Sequence, residues 1–177
     1  MGSGTATGSI DQALAAVRER FLDDTNRYGC AETAYVVLKA AYGLPEPDDS
    51  AAAMALNGGV AWSGGICGAI SGAALAVGEL AEARSPDHAT AKRRARETMA
   101  GCIDAFAAEH GAVDCRALLG LDIRSPDGHR AFIESGVWRT ACLARIGTVV
   151  ARLAELPTQP AWSDPPSRSV PARRRPG

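Results

Sequence analysis

Gly64-Gly65-Ile66-Cys67-Gly68-Ala69-Ile70-Ser71-Gly72-Ala73-Ala74 sets a cysteine directly behind a glycine pair, at the head of an apolar run that continues to about Ala83. The glycines read as loop, the run behind them as helix, so Cys67 falls at a helix start. Such an end carries unpaired N–H groups and partial positive charge, which favour a thiolate over a thiol. Gly68 and Gly72 lie one turn apart and leave a strip where another backbone or a cofactor can approach closely. A strip with Ala76 added could equally pair subunits in a homo-oligomer.

Working outward, helical signals recur on both sides. Ser9-Ile10-Asp11-Gln12 fits a capping box, and Ile10, Leu14, Val17 and Phe21 follow at helical spacing, giving a helix over about Ile10 to Asp24. Thr25-Asn26-Arg27 breaks it. A second helix opens at Cys30-Ala31-Glu32 and stops at Gly43 before Pro45. Ser50 to Leu56 reads as a short Ala-rich helix ending at Asn57-Gly58-Gly59, and Gly58 to Gly65 as a loop with Trp62 as its aromatic. A core anchor is the expected role for Trp62, a cap over the site its alternative.

Downstream, Ser85-Pro86-Asp87-His88 separates the Cys67 helix from an amphipathic one over about Ala89 to His110. Its apolar half carries Ala95, Met99, Cys102, Ile103 and Phe106. Its polar half carries Arg93, Arg94 and Arg96, expected as a solvated face. Asp114 is a plausible N-cap for a short helix with Cys115, Leu118 and Leu119. Ser125-Pro126-Asp127-Gly128 is the strongest turn signal, with a helical turn or two over His129 to Ser135. The last helix, Trp138 to Leu156, places Trp138, Cys142, Ile146, Val149 and Leu153 on one face. The expectation is an all-α bundle of about five or six helices over residues 10–156. Residues 1–9 form a flexible N-terminus, and 157–177 a disordered Pro/Arg-rich tail with Arg173-Arg174-Arg175.

Composition agrees with closely packed helices: the chain of 177 residues is Ala-rich and only 5% aromatic. A net charge of −1 gives no case for nucleic acid or an anionic membrane surface. No run reaches the roughly 20 apolar residues of a membrane span, and the N-terminus lacks the pattern of a secretory signal, so the expected location is cytoplasmic. In a reducing compartment five scattered cysteines are buried apolar residues, metal ligands or redox thiols rather than a disulfide framework.

Three of the five, Cys30, Cys67 and Cys115, fall at or beside expected helix starts. Cys142 lies mid-helix on an apolar face. Together they could close a four-thiolate site for an iron–sulfur cluster or zinc, although no C-x₂-C pair is present. Cys102 sits inside an apolar stripe and is read as core. His88, His110 and His129 are dispersed, and His110 suits a helix C-terminus better than a ligand role. Ser71 has no histidine signature beside it, and the glycine pairs form neither a dinucleotide fingerprint nor a P-loop.

Gly29-Cys30-Ala31-Glu32-Thr33-Ala34, then Cys67-Gly68-Ala69-Ile70-Ser71-Gly72, then Cys115-Arg116-Ala117-Leu118-Leu119-Gly120 and finally Cys142 resemble the C-GCAxxG-C-C family of redox-active proteins over about Arg18 to Leu153. The CGAxxG motif of that family is matched in full by Cys67 to Gly72. The resemblance implies a redox role with Cys30, Cys67, Cys115 and Cys142 as the four characteristic cysteines and Gly68 in the binding motif. A similar region in split-Soret cytochromes is associated with an iron–sulfur centre, which makes a cluster the first expectation for the cofactor. No C-x-x-C-H haem attachment site is present. Thiol–disulfide exchange, with Cys67 attacking and Cys30 or Cys115 resolving, is the alternative, and a structural zinc site or a cofactor-free helical interaction module the third. The redox partner would be a protein or a small molecule.

Overall fold

Helix α2 (Cys30–Tyr42) is apolar nearly all round and lies at the centre of the fold. A helix without a polar face must be covered on every side. In this computed structural model, which describes residues 6–25 and 27–162, the cover comes from α1 (Ala6–Phe21), α3 (Gly68–Ala83) and, later in the chain, α7 (Leu143–Leu153). Between α3 and α7 come α4 (His88–His110), α5 (Cys115–Leu119) and α6 (Pro126–Ser135). Ala31, Ala34, Val36 and Leu38 of α2 meet Ile70, Ala73, Val77 and Leu80 of α3 and Ile146, Val149 and Val150 of α7 in one core. Each large aliphatic side chain sealed there contributes about 1.5–3 kcal/mol. The described residues contain no strand beyond one antiparallel bridge, Ile66 with Asp114, so the all-α expectation holds.

Helix α2 packs most extensively against α3, and glycines let the two backbones approach. A Cβ at Gly72 would collide with the Ala31 carbonyl oxygen, and one at Gly68 with the Cys30 sulfur. Backbone cannot swing aside as a side chain can. Gly72→Ala is therefore expected to part the two helices and cost about 1–3 kcal/mol, read as a lower denaturant midpoint. Gly78, with nothing near its missing Cβ, tolerates the same change and serves as control.

Several helix ends follow the sequence signals. Gly43 takes φ 66° and ends α2 with N–H bonds to Ala40 and Lys39 carbonyls supplied by Gly43 and Leu44. Asp87 caps α4, accepting from the Thr90 N–H at 2.8 Å, and Gly111 closes that helix at φ 79°. Other ends differ. The first helix begins at Ala6, so Ser9 lies inside it and is not its cap. Ser50 to Leu56 is wound as a 3₁₀ helix over Ala51–Leu56. Ser125 and Pro126, read as a turn, are the N-cap and first residue of α6: the Ser125 hydroxyl accepts the Gly128 N–H, and the proline needs no partner at that position.

The C-terminal part departs further. Trp138–Cys142 is a π turn leading into α7, which ends at Leu153 rather than Leu156. The chain then folds on through 3₁₀ turns at Leu156–Thr158 and Pro160–Trp162. Trp162 is buried, its ring under the Arg94 guanidinium at 5.2 Å. The tail assigned from Pro157 thus begins at least six residues too early, and Arg94 is not simply solvated. The rest of that tail, residues 163–177, and the terminus before Ala6 lie outside the described residues. No described helix is long and apolar enough to cross a membrane.

Candidate functional site

Four segments deliver one cysteine each to the same end of the bundle. Cys30 is the first residue of α2, and Cys67 the N-cap of α3. Cys115 opens α5, and Cys142 closes the π turn. The link between the second and third is direct. Around the Ile66–Asp114 bridge, the Cys67 N–H donates to the Val113 carbonyl at 2.7 Å and the Cys115 N–H to the Gly65 carbonyl at 2.7 Å. Those bonds tie the glycine loop to the start of α5 and hold the two cysteines side by side. The π turn puts an extra residue into the helical turn at Trp138–Cys142, a feature frequent at functional sites. Cys30, Cys115 and Cys142 line a cavity of about 530 Å³, with Cys67 sealed behind them at 7% exposure.

The four thiols sense one another. Burial first, then repulsion from Cys30, pushes Cys67 up to about 12 and Cys115 up to about 11. The same two causes, in the same order, push Cys142 up to about 12. Arg145 is the cation that opposes this at Cys115 and Cys142. Its guanidinium also donates to the Leu118 carbonyl at 2.8 Å. The expectation of a helix-start thiolate at Cys67 is thus reversed: desolvation outweighs the dipole, and the isolated thiol stays protonated. Cys102 belongs elsewhere, buried in the core near Tyr42 and Arg152, as its apolar stripe indicated.

Cys30 has the most polar surroundings of the four. Burial raises its pKa, but the N–H groups of Gly58, Ala31, Gly68 and Cys30 itself are directed at its sulfur and pull the other way. Two helix starts and the glycine loop therefore converge on one atom. The sulfur also faces Asn57 Oδ1 at 3.7 Å, and that oxygen accepts the Ala31 N–H at 2.9 Å. Asn57 is held in turn by Glu32, whose carboxylate accepts from Asn57 Nδ2 at 2.8 Å, the Gly29 N–H at 2.9 Å and the Ser50 hydroxyl at 2.9 Å. Asn57 and Arg145 were not singled out from sequence. An Asn-Gly-Gly run reads as a stop signal, and only the fold shows what its side chain meets.

The segment after Asn57 is unusual. Gly58, Gly59, Val60, Ala61 and Trp62 all take positive φ, between 49° and 72°, so the chain makes a left-handed turn. Glycine does this freely, but each L-residue costs about 1–2 kcal/mol. The turn is stitched by N–H bonds from Val60, Ala61 and Trp62 back to the carbonyls of Leu56, Ala55 and Asn57. It carries Trp62 to the cavity mouth, 53% exposed, with its ring edge-on to His129 at 6.0 Å. Trp62 is therefore no core anchor. Val60 is also largely exposed and packs little, so Val60→Gly is expected to raise stability by about 1 kcal/mol, measured as a higher Tm.

Fold and site together define an all-α domain in which four thiols converge, three on the wall of an open cavity and Cys67 buried behind them. Residues 28–156 match the family model described as "Putative redox-active protein (C_GCAxxG_C_C)", and the chain belongs to that family. No curated protein and no solved structure matches it.

Proposed function

We propose that Cys30, Cys67, Cys115 and Cys142 bind an iron–sulfur cluster, and that the domain transfers or delivers electrons in a reducing compartment. The observation that carries this reading is the meeting of four thiols from four separate segments while the fifth cysteine stays in the core.

The donor set fits the group. All four are soft sulfur donors, and the N–H groups aimed at Cys30 are the kind of outer contact that stabilises a metal-bound thiolate and tunes its potential. Buried thiols that are protonated when alone make poor attacking groups for disulfide exchange, whereas binding a metal centre displaces their protons. Among the described residues no three His, Cys, Asp or Glu side chains form a group able to hold a metal ion. The four-thiolate reading therefore rests on the convergence of the cysteines and on the family, not on a formed metal-binding group.

A bound cluster would supply one-electron redox chemistry. The chain's own part is to hold the sulfurs, to direct amide dipoles at Cys30, to place Arg145 beside Cys115 and Cys142, and to keep bulk water from Cys67. Gly68 leaves the room Cys30 needs. Purification without oxygen, followed by visible absorption with iron and sulfide analysis, tests the reading. Coloured protein holding both elements supports it; colourless, iron-free protein under those conditions overturns it.

A further inference from the structure

The cavity beside the thiols has a wall that the four-cysteine site does not require. Besides Cys30, Cys115 and Cys142, its lining is largely aromatic and aliphatic, and two of the contributing elements bury little of their own apolar surface. One is the left-handed turn that presents Trp62. The other is α6, which has no fully buried residue, yet whose His129, Phe132 and Ile133 all line the cavity. Ile133 is 51% exposed while Ala131 and Phe132 are half-buried, so the apolar side of this helix is only partly covered. Trp138 forms part of the same wall, with the Arg139 guanidinium over its ring at 4.6 Å.

We propose that this cavity binds a neutral, planar aromatic molecule of bicyclic size, clamped between Trp62 and the apolar face of α6 and reaching the thiol wall. The proposal deepens the redox reading above by naming the class of small molecule with access to that site. The volume, about 530 Å³, lies within the ordinary range of small-molecule pockets and is ample for two or three fused rings. Ring faces and edges from Trp62, Phe132 and Trp138 suit a flat partner, since offset and edge-on aromatic contacts add to simple burial. Charge selects against anions. Asp23, Asp24 and Glu32 line the cavity against Arg139 as its cation. Glu32 has its carboxylate filled by Gly29, Ser50 and Asn57, which leaves it no role in holding a cationic ligand. Trp62 is the residue on which the proposal turns, because its position at the mouth depends on the left-handed turn and its ring is half open to solvent.

The test uses the full chain purified without oxygen and, as probe, a naphthoquinone methylated at both vinylic carbons, so that the thiols cannot add to it. Equilibrium dialysis gives the affinity, and iron content is measured on the same samples. Saturable binding is expected, weakened at least tenfold by Trp62→Ala and restored to within about threefold by Trp62→Phe, which returns a ring to the clamp. Ile133→Glu, a charge placed on the exposed face of α6, is expected to weaken it similarly. An anthraquinone sulfonate, planar but anionic, should bind at least fivefold more weakly. Trp62 is largely exposed, so its variants should keep the Tm and iron content of the parent. Absence of saturable binding, an unchanged affinity in Trp62→Ala, or equal affinity for the sulfonate overturns the proposal. Binding needs no cluster: iron-free protein that binds the quinone would fail the cluster reading alone, and iron-loaded protein that does not would fail this one alone.

Discussion

Cys30→Ala is expected to leave a folded chain that no longer retains iron, whereas Cys102→Ala retains it in full. Cys30 is the hub of the four. A thiolate there would repel charge on Cys67, Cys115 and Cys142, and amides from three segments point at its sulfur. Removing it takes away one of the four proposed ligands and the sulfur those amides serve. Iron per chain should fall by more than about tenfold, the scale seen when even an outer hydrogen-bond partner of a metal ligand is lost. Cys30 lines the cavity at the end of the bundle, so its loss leaves the core formed by α2, α3 and α7 in place. Cys102→Ala should show the opposite pattern: a small loss of stability from a buried gap and no loss of iron. Equal iron in the Cys30 variant, or loss of iron in the Cys102 variant, would contradict the assignment of ligands.

The metal-free chain should lose stability steeply in alkali. Below about pH 9, the ordinary value for a thiol, folded and unfolded chains alike carry protonated cysteines, and the stability gained by keeping them neutral is fully present. Above it the unfolded chain ionises, while Cys115 and Cys67 stay protonated until about 11 and about 12 in the fold. Their contribution is therefore lost as pH rises through that window, at about 1.4 kcal/mol per thiol per pH unit. Tyr42, buried and also held protonated, acts in the same direction at still higher pH. Denaturant titrations at about pH 8, 9, 10 and 11 read this out. Cys67→Ala should flatten the slope by one thiol's share, and bound metal should suppress it, because ligated sulfurs have already given up their protons. A metal-free chain equally stable across the window would refute the buried-thiol picture.

What could be read from sequence follows from what acts locally. Gly43 and Gly111 mark helix ends by their own backbone preferences, and these ends fell where expected. Gly68 and Gly72 marked a close approach, and the structure supplies the neighbour: Cys30 and Ala31. Cys67 and Cys115 were legible because glycine and aspartate flag the starts of their helices. What the sequence misplaced needed tertiary information. The protonation of Cys67 depends on burial by segments distant in the chain, which outweighs the helix start. The Ser125-Pro126 pair serves a turn and a helix N-terminus equally well by local preference, and continuation through Phe132 and Ile133 decides for the helix. Nothing local predicts a left-handed turn at Val60, Ala61 and Trp62, since their intrinsic preference opposes it. Bonds back to Ala55, Leu56 and Asn57 hold it, with Asn57 anchored by Glu32. That strained turn supplies both an amide to Cys30 and the tryptophan at the cavity mouth.

Native mass spectrometry of the chain purified without oxygen tests the central claim most directly, because each reading of the four cysteines has its own mass. The account predicts a species heavier than the bare chain by iron together with inorganic sulfide, lost as a unit on exposure to air and absent from Cys30→Ala. A bare chain, a chain lighter by two hydrogens as a disulfide requires, or a chain carrying one zinc and no sulfide would contradict it.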